Sequence, residues 1–406
     1  MDYPVFKPEM KDSYTILVPD MLPVHFKLII NILKKYGYNV ELLQTSTREV
    51  VDEGLKNVHN DTCYPALLVI GQFINALKSG KYDVNKTALM LTQTGGGCRA
   101  SNYIHLLRKA LKKEFPQVPV ISLNLSGLEK GNGLNLTIPL LIKVVYAVFY
   151  GDLLMSLYNQ CKPYEINEGD TDRMRDKWQE KLVTVFDKRE FLKCKKYCRQ
   201  ILEDFDTIKR THEKKIRVGI VGEIYVKYSP LANNHLEEFL LSEGCEPIVP
   251  ALMEFVMYCL AGSVADSKLY QFNSQKILFS KVGYSFIHKV QKTVIRTINE
   301  HGVFEAPHDF EHIKKLADKY ISQGVNMGEG WLIPAEMAAL AETGTENIIC
   351  TQPFGCLPNH IVAKGMSRVI KKAYPDANIV AIDYDPGATK VNQENRIKLM
   401  LANAKR

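Results

Sequence analysis

The stretch Thr92-Gln-Thr-Gly-Gly-Gly-Cys98-Arg-Ala-Ser-Asn-Tyr-Ile104 has a near copy far downstream, Thr351-Gln-Pro-Phe-Gly-Cys356-Leu-Pro-Asn-His-Ile361, and this pairing constrains the fold more than any other feature. Each copy follows a short apolar run, Thr87-Ala-Leu-Met-Leu in one case and Asn347-Ile-Ile-Cys in the other, and opens a helical pattern. Both cysteines are therefore expected in strand-to-helix turns. In open α/β sheets such turns lie at the carboxyl edge, where ligands bind, and the free amides of a helix start favour a thiolate. Gly95, Gly96, Gly97 and Gly355 let backbone approach a bulky guest. A third cysteine has the same setting: His59-Asn-Asp-Thr offers N-cap residues, and Cys63-Tyr-Pro-Ala begins an apolar helix with proline in its first turn.

Taken in order, a strand near Ser13 to Asp20, a helix from Val24 to Gly37 and a strand from Tyr38 form a βαβ unit. The helix at Cys63, the strand ending near Gln93, a helix over about 101–113 and the strand from Val118 continue the alternation and predict a parallel, doubly wound sheet. Pro139 to Leu157 reads as a long buried helix. The pattern then turns charged and helical without strand signals, and a second alternation starts at Ile216, with a mostly helical insertion over 251–345. The expected division is 1–165, an α/β domain carrying Cys63 and Cys98; 166–215, a helical connector; and 216–406, an α/β domain carrying Cys356. The matching turns would then face one interdomain cleft.

The chain has 406 residues and nine cysteines, and it begins without a basic segment leading into an apolar one. Those features favour reduced thiols or metal ligands over a disulfide framework, and a cytoplasmic setting. No apolar run is expected to span a membrane. A net charge of +7 is spread along helices rather than packed into one tract, which argues against nucleic acid as a partner. Cys161, Cys245, Cys259 and Cys350 read as buried small apolar residues. Cys194 and Cys198, among lysines, read as surface residues.

Cys63, Cys98 and Cys356 are the candidate metal ligands. Zinc sites favour close C-x-x-C pairs, whereas three thiolates from distant turns suit a cuboidal iron-sulfur cluster with one open position. His59 and His360 read as capping or supporting donors. Gly95-Gly-Gly-Cys-Arg-Ala100 matches a dinucleotide fingerprint only in outline, since the next strand ends without an acid for a ribose; no phosphate-binding G-x-x-x-x-G-K-[ST] occurs.

The set His59-Asn-Asp-Thr-Cys-Tyr-Pro-Ala, Thr92-Gln-Thr-Gly-Gly-Gly-Cys-Arg-Ala-Ser-Asn-Tyr, Gly328-Glu-Gly-Trp-Leu, Gln352-Pro-Phe-Gly-Cys-Leu-Pro-Asn-His and Ile382-Asp-Tyr-Asp-Pro-Gly resembles the 2-hydroxyacyl-CoA dehydratase superfamily. More narrowly, it resembles the unit found alone or fused behind a BadF/BadG-type activator ATPase. The resemblance covers nearly the whole chain. It implies two flavodoxin-like domains clamping a cluster held by Cys63, Cys98 and Cys356, 4Fe-4S or, in other relatives, an 8Fe-9S double cubane. It also implies a separate ATP-dependent activator with its own 4Fe-4S cluster, an acyl-CoA substrate and a homodimer or a heterodimer with a related subunit. The activity implied is radical dehydration or reduction; the alternatives are a double-cubane reductase of small molecules and an electron-transfer subunit. Glu329, Asp383 and Asp385, each in a turn marked by glycine or proline, are candidate acid/base or supporting groups, and Arg99 is a candidate to balance the charge of a thiolate-bound cluster.

Overall fold

A computed structural model describes residues 3–59, 61–93, 97–124, 134, 136–271 and 275–404. Its strands are β1 (Thr15–Pro19), β2 (Asn39–Leu43), β3 (Thr87–Gln93), β4 (Val120–Asn124), β5 (Ile216–Gly222), β6 (Cys245–Ile248), β7 (Asn347–Pro353) and β8 (Asn378–Tyr384). They form two four-stranded sheets with one design, ordered β2-β1-β3-β4 and β6-β5-β7-β8, and every pairing is parallel. Ile16 pairs with Val40 on one side and Ala88 on the other, and Ile220 pairs with Ile349 in the second sheet. In β7 all seven residues are buried, as expected of a central strand covered by helices on both faces. The doubly wound α/β architecture read from the sequence is thus observed, and both cysteine turns follow the third strand of their sheets.

The helix Tyr64–Lys78 is buried along nearly its whole length, and Cys63 is its N-cap residue, with proline in the first turn. It crosses a helix that the sequence reading passed over, Arg48–Asn57, at Gly54 and Gly71. A Cβ on either glycine would strike backbone of the other helix, so this crossing needs both. The close approach anchors the end that carries Cys63.

The 24-residue helix Ile138–Cys161 ties the two units together. It packs on the helix Pro23–Lys35 of the first unit and on β6 and the helix Leu252–Tyr270 of the second. With the turn that follows it is long and apolar enough to cross a membrane, contrary to expectation, yet 67% of its most apolar window is buried within the protein. It therefore serves as a core helix. His25 lies against Gly151, where a Cβ would collide with its ring, and bonds Asp152 Oδ1 through Nε2 at 2.9 Å. The Asp152 carboxylate also accepts from the Leu252 and Met253 amides at 2.8 and 3.0 Å, capping a helix of the other unit.

The expected connector is helical, comprising Asp170–Asp187 and Cys194–Asp206, and is packed into the same core. Here the reading of Cys194 and Cys198 as surface residues is corrected. Both are buried, with their sulfurs 3.6 Å apart. The stripe Cys194, Tyr197, Cys198, Ile201, Leu202 and Phe205 recurs at helical spacing and faces inward, while the lysines occupy the opposite face. Each large apolar side chain buried there contributes about 1.5–3 kcal/mol, which outweighs the charged composition of the neighbourhood.

Candidate functional site

Three turns from the two units meet at the carboxyl edges of the sheets. The first carries Cys63, which is buried, with Sγ 2.9 Å from the Tyr103 hydroxyl. Tyr103 begins the helix that follows the second turn, so one phenol joins two cysteine segments. In that second turn Cys98, half-buried, is itself the N-cap of a short 3-10 turn, and its Sγ accepts from the Ala100 amide at 3.5 Å. The third turn carries Cys356, buried, with the Asn359 carboxamide 3.1 Å from its Sγ. The chain then runs as a π-helix over Pro358–Ala363 before the helix Lys364–Ala373. Such wide turns are rare and concentrate at functional sites.

Glycines set how closely these turns meet. Gly355, at φ +73°, lies so near the first turn that a Cβ would stand 3.0 Å from Cys63 Cα and 3.0 Å from Arg99 Nη1. Gly328, at φ +57°, would place a Cβ 2.6 Å from Pro358 Cγ and 3.5 Å from Cys98 Sγ. Gly97 packs against Met327 across the same junction. Cys63 and Cys98 of the first unit are thereby brought against Gly355-Cys356 and Gly328-Glu329 of the second. Gly95 and Gly96 lie outside the described residues.

Two carboxyls close the floor. Glu329, 5% exposed, accepts from the Ile224 amide at 3.0 Å. Glu223, at the carboxyl end of β5, caps the next helix by accepting from the Val226 amide at 2.8 Å. Burial, and then the charge of Glu329, pushes Glu223 up to about 8, and burial likewise raises Glu329. The sequence reading missed Glu223. Its signal was the Gly222-Glu223 junction at the end of the first strand of the second unit, the equivalent of a ligand-edge position in the sheet.

The thiols do not behave as the helix-start argument expected. Burial raises Cys63 to about 11 despite the Tyr103 hydroxyl, and burial with the Glu329 and Glu223 charges raises Cys98 to about 12. Cys356 is raised as well, by burial and the same two carboxyls. Desolvation and two nearby acids outweigh the partial charge of a helix end, so the three thiols hold their protons at neutral pH.

The remaining candidates separate into two groups. Arg99, exposed, donates to the Asp61 carbonyl at 2.7 Å and stands beside Gly355 and Cys63. Asp383 is exposed near the end of β8, bonded to Gln352 at 2.9 Å and paired with Arg396 at 3.1 Å. Asp385 accepts from the Gly387 and Ala388 amides in a local turn. His59 accepts from the Asp61 amide, and His360 faces Gln352, so both hold supporting positions.

Among the described residues no three His, Cys, Asp or Glu side chains are gathered tightly enough to hold a single metal ion. A single zinc ion needs every sulfur about 2.3 Å from one centre, whereas a cuboidal cluster takes its thiolates on different irons and spreads them apart. Thiols on separate turns, and the buried Tyr258 hydroxyl and Trp331 Nε1, which have no partner among the described residues, fit the larger group. Compared with models of known protein families and with curated proteins, the chain matches none.

Proposed function

We propose that this protein is an iron-sulfur enzyme of the 2-hydroxyacyl-CoA dehydratase type, with Cys63, Cys98 and Cys356 as cluster ligands. The observation that carries the reading is the meeting of three cysteine turns from two sheets of identical strand order around Tyr103, Gly355 and Gly328. The cluster, once bound, supplies low-potential one-electron chemistry at an iron open to substrate. The chain's own residues do the rest. Loading requires the three thiols to release protons that burial makes them hold, and Arg99 lies where the resulting negative charge would be balanced. Glu223 and Glu329 share a buried site in which one carboxyl retains its proton, a proton source suited to a departing hydroxyl. That pair favours an enzyme over a simple electron carrier.

The proposal includes a cytoplasmic setting, a separate ATP-dependent activator, and pairing with a second or related subunit. Anaerobic purification or reconstitution, with iron and sulfide analysis and EPR, tests it. About four irons and four sulfides per chain, with a signal altered by an acyl-CoA, are expected. A cluster indifferent to acyl-CoA moves the reading to a double-cubane reductase of small molecules or, if it is indifferent to small molecules altogether, to a carrier, and a chain that binds no iron under these conditions removes it.

A further inference from the structure

A cavity of about 160 Å³ lies away from the cysteines, between the helix Ile138–Cys161, β6 and the helices Leu252–Tyr270, Gln275–His301 and Leu332–Glu342. Its walls are largely apolar, with Phe149, Leu153, Met253, Val294, Ile298 and Leu340 among them. Two buried carboxyls break that surface. Glu254 is 4% exposed, and its side chain makes no hydrogen bond among the described residues. It sits in the first turn of its helix, where a carboxylate would ordinarily serve the free amides, but Asp152 already occupies that role. Glu336 Oε1 accepts from Lys227 Nζ at 2.9 Å, while Oε2 is buried without a partner among the described residues.

Five carboxyl residues line the cavity against one arginine and one histidine. Asp152 is bonded to His25 and to two amides, and Glu336 to Lys227, so Glu254 is the carboxyl left without a partner among the described residues. The arginine, Arg217, is held by Glu305 and Glu246. A buried carboxyl without a partner is costly, and a cation removes that cost where a neutral or anionic guest does not. Burial and the charge of Glu336 push Glu254 up to about 8, consistent with a group lacking its counter-ion. An engineered apolar cavity of about 150 Å³ accepts a six-carbon ring, so the space suits a guest of similar size. Glu305 and Thr343 are exposed members of its lining, and the Glu305 backbone is held to Gln160 by bonds of 2.8 and 3.2 Å.

We propose that this cavity binds a small aliphatic ammonium ion, with its hydrocarbon body against the apolar walls and its charged head on Glu254. None of the cysteines lines this cavity.

Isothermal titration of the full chain with n-butylammonium, n-butanol and n-butyrate at fixed ionic strength tests this. Wild-type protein is expected to bind butylammonium saturably and at least about tenfold more tightly than butyrate. Glu254→Gln should lose about tenfold for the amine and little for butanol. Ala306→Phe, which narrows the cavity at its edge, should lose both, and it decides the matter if the first variant does not fold. Absence of saturable amine binding, equal binding of amine and butyrate, or undiminished amine binding in a folded variant overturns the proposal.

Discussion

The Tyr64 amide donates to the Phe354 carbonyl at 3.0 Å, so the residue after Cys63 is bonded to the residue two before Cys356. This backbone bond joins the two units at their ligand edge. It explains why Gly355 must lie flat against Cys63, because a side chain there would part the strands of contact that the bond draws together.

Gly355→Ala should be destabilising by about 1–3 kcal/mol, the sum of a left-handed backbone and a clash with Cys63. Gly344 offers the matched control, since its φ is +78° and nothing lies within 4 Å of a Cβ. Urea unfolding of Gly355→Ala and Gly344→Ala should differ by the contact alone. Equal losses would mean that the first turn does not press on the third.

Cys63→Ser, Cys98→Ser and Cys356→Ser should each lose most of the iron and the EPR signal of anaerobically prepared protein, because each turn supplies one ligand. Cys194→Ser, buried and far along the connector, should keep both. Full iron content in any of the first three would remove that cysteine from the ligand set.

Asp152→Ala should cost about 2–4 kcal/mol, since it strands two helix amides and the buried His25 ring at once. Its location between the units predicts a further effect: limited proteolysis should reach the junction sooner than in wild type. A variant as stable and as resistant as wild type would show that the bridge is dispensable.

Glu254 is raised from 4.5 to about 8, first by burial and then by Glu336, with Lys227 opposing and Asp152 adding to the shift. Its folded form holds a proton more tightly than the unfolded chain, so its contribution is fully present below 4.5 and is lost as pH rises through 8. Glu254→Gln, which stays neutral, should therefore gain on wild type between pH 5 and 9, by up to a few kcal/mol. Urea midpoints measured across that range provide the check, and parallel profiles for the two proteins would contradict it.

Much of the architecture was legible in the chain. Continuous apolar runs located the strands, because a strand buried on both faces can carry little else. The recurrence of Thr-Gln with Gly-Cys and Asn marked β3 and β7 as counterparts, and their common place as third strands bears out that reading of the fold. Proline in the first turn marked the helix start at Cys63, although the N-cap is Cys63 itself, without a side-chain cap bond, and not a residue of the stretch before it. The burial of Cys194 and Cys198 was also written in the sequence, as a helical stripe, but lysine-rich composition masked the period.

Other features were decided only when distant segments met. The proton affinity of the cysteines depends on Glu223 and Glu329, which come from separate turns and act through burial that no local window records. The capping of one unit's helix by Asp152 of the other, and the empty partner position at Glu254 that follows from it, required three elements to pack. Sequence determined the strands, the glycine-bearing turns and which residues carry sulfur. Tertiary packing decided which charges share a low-dielectric space, because electrostatic interaction depends on distance and desolvation rather than on order along the chain.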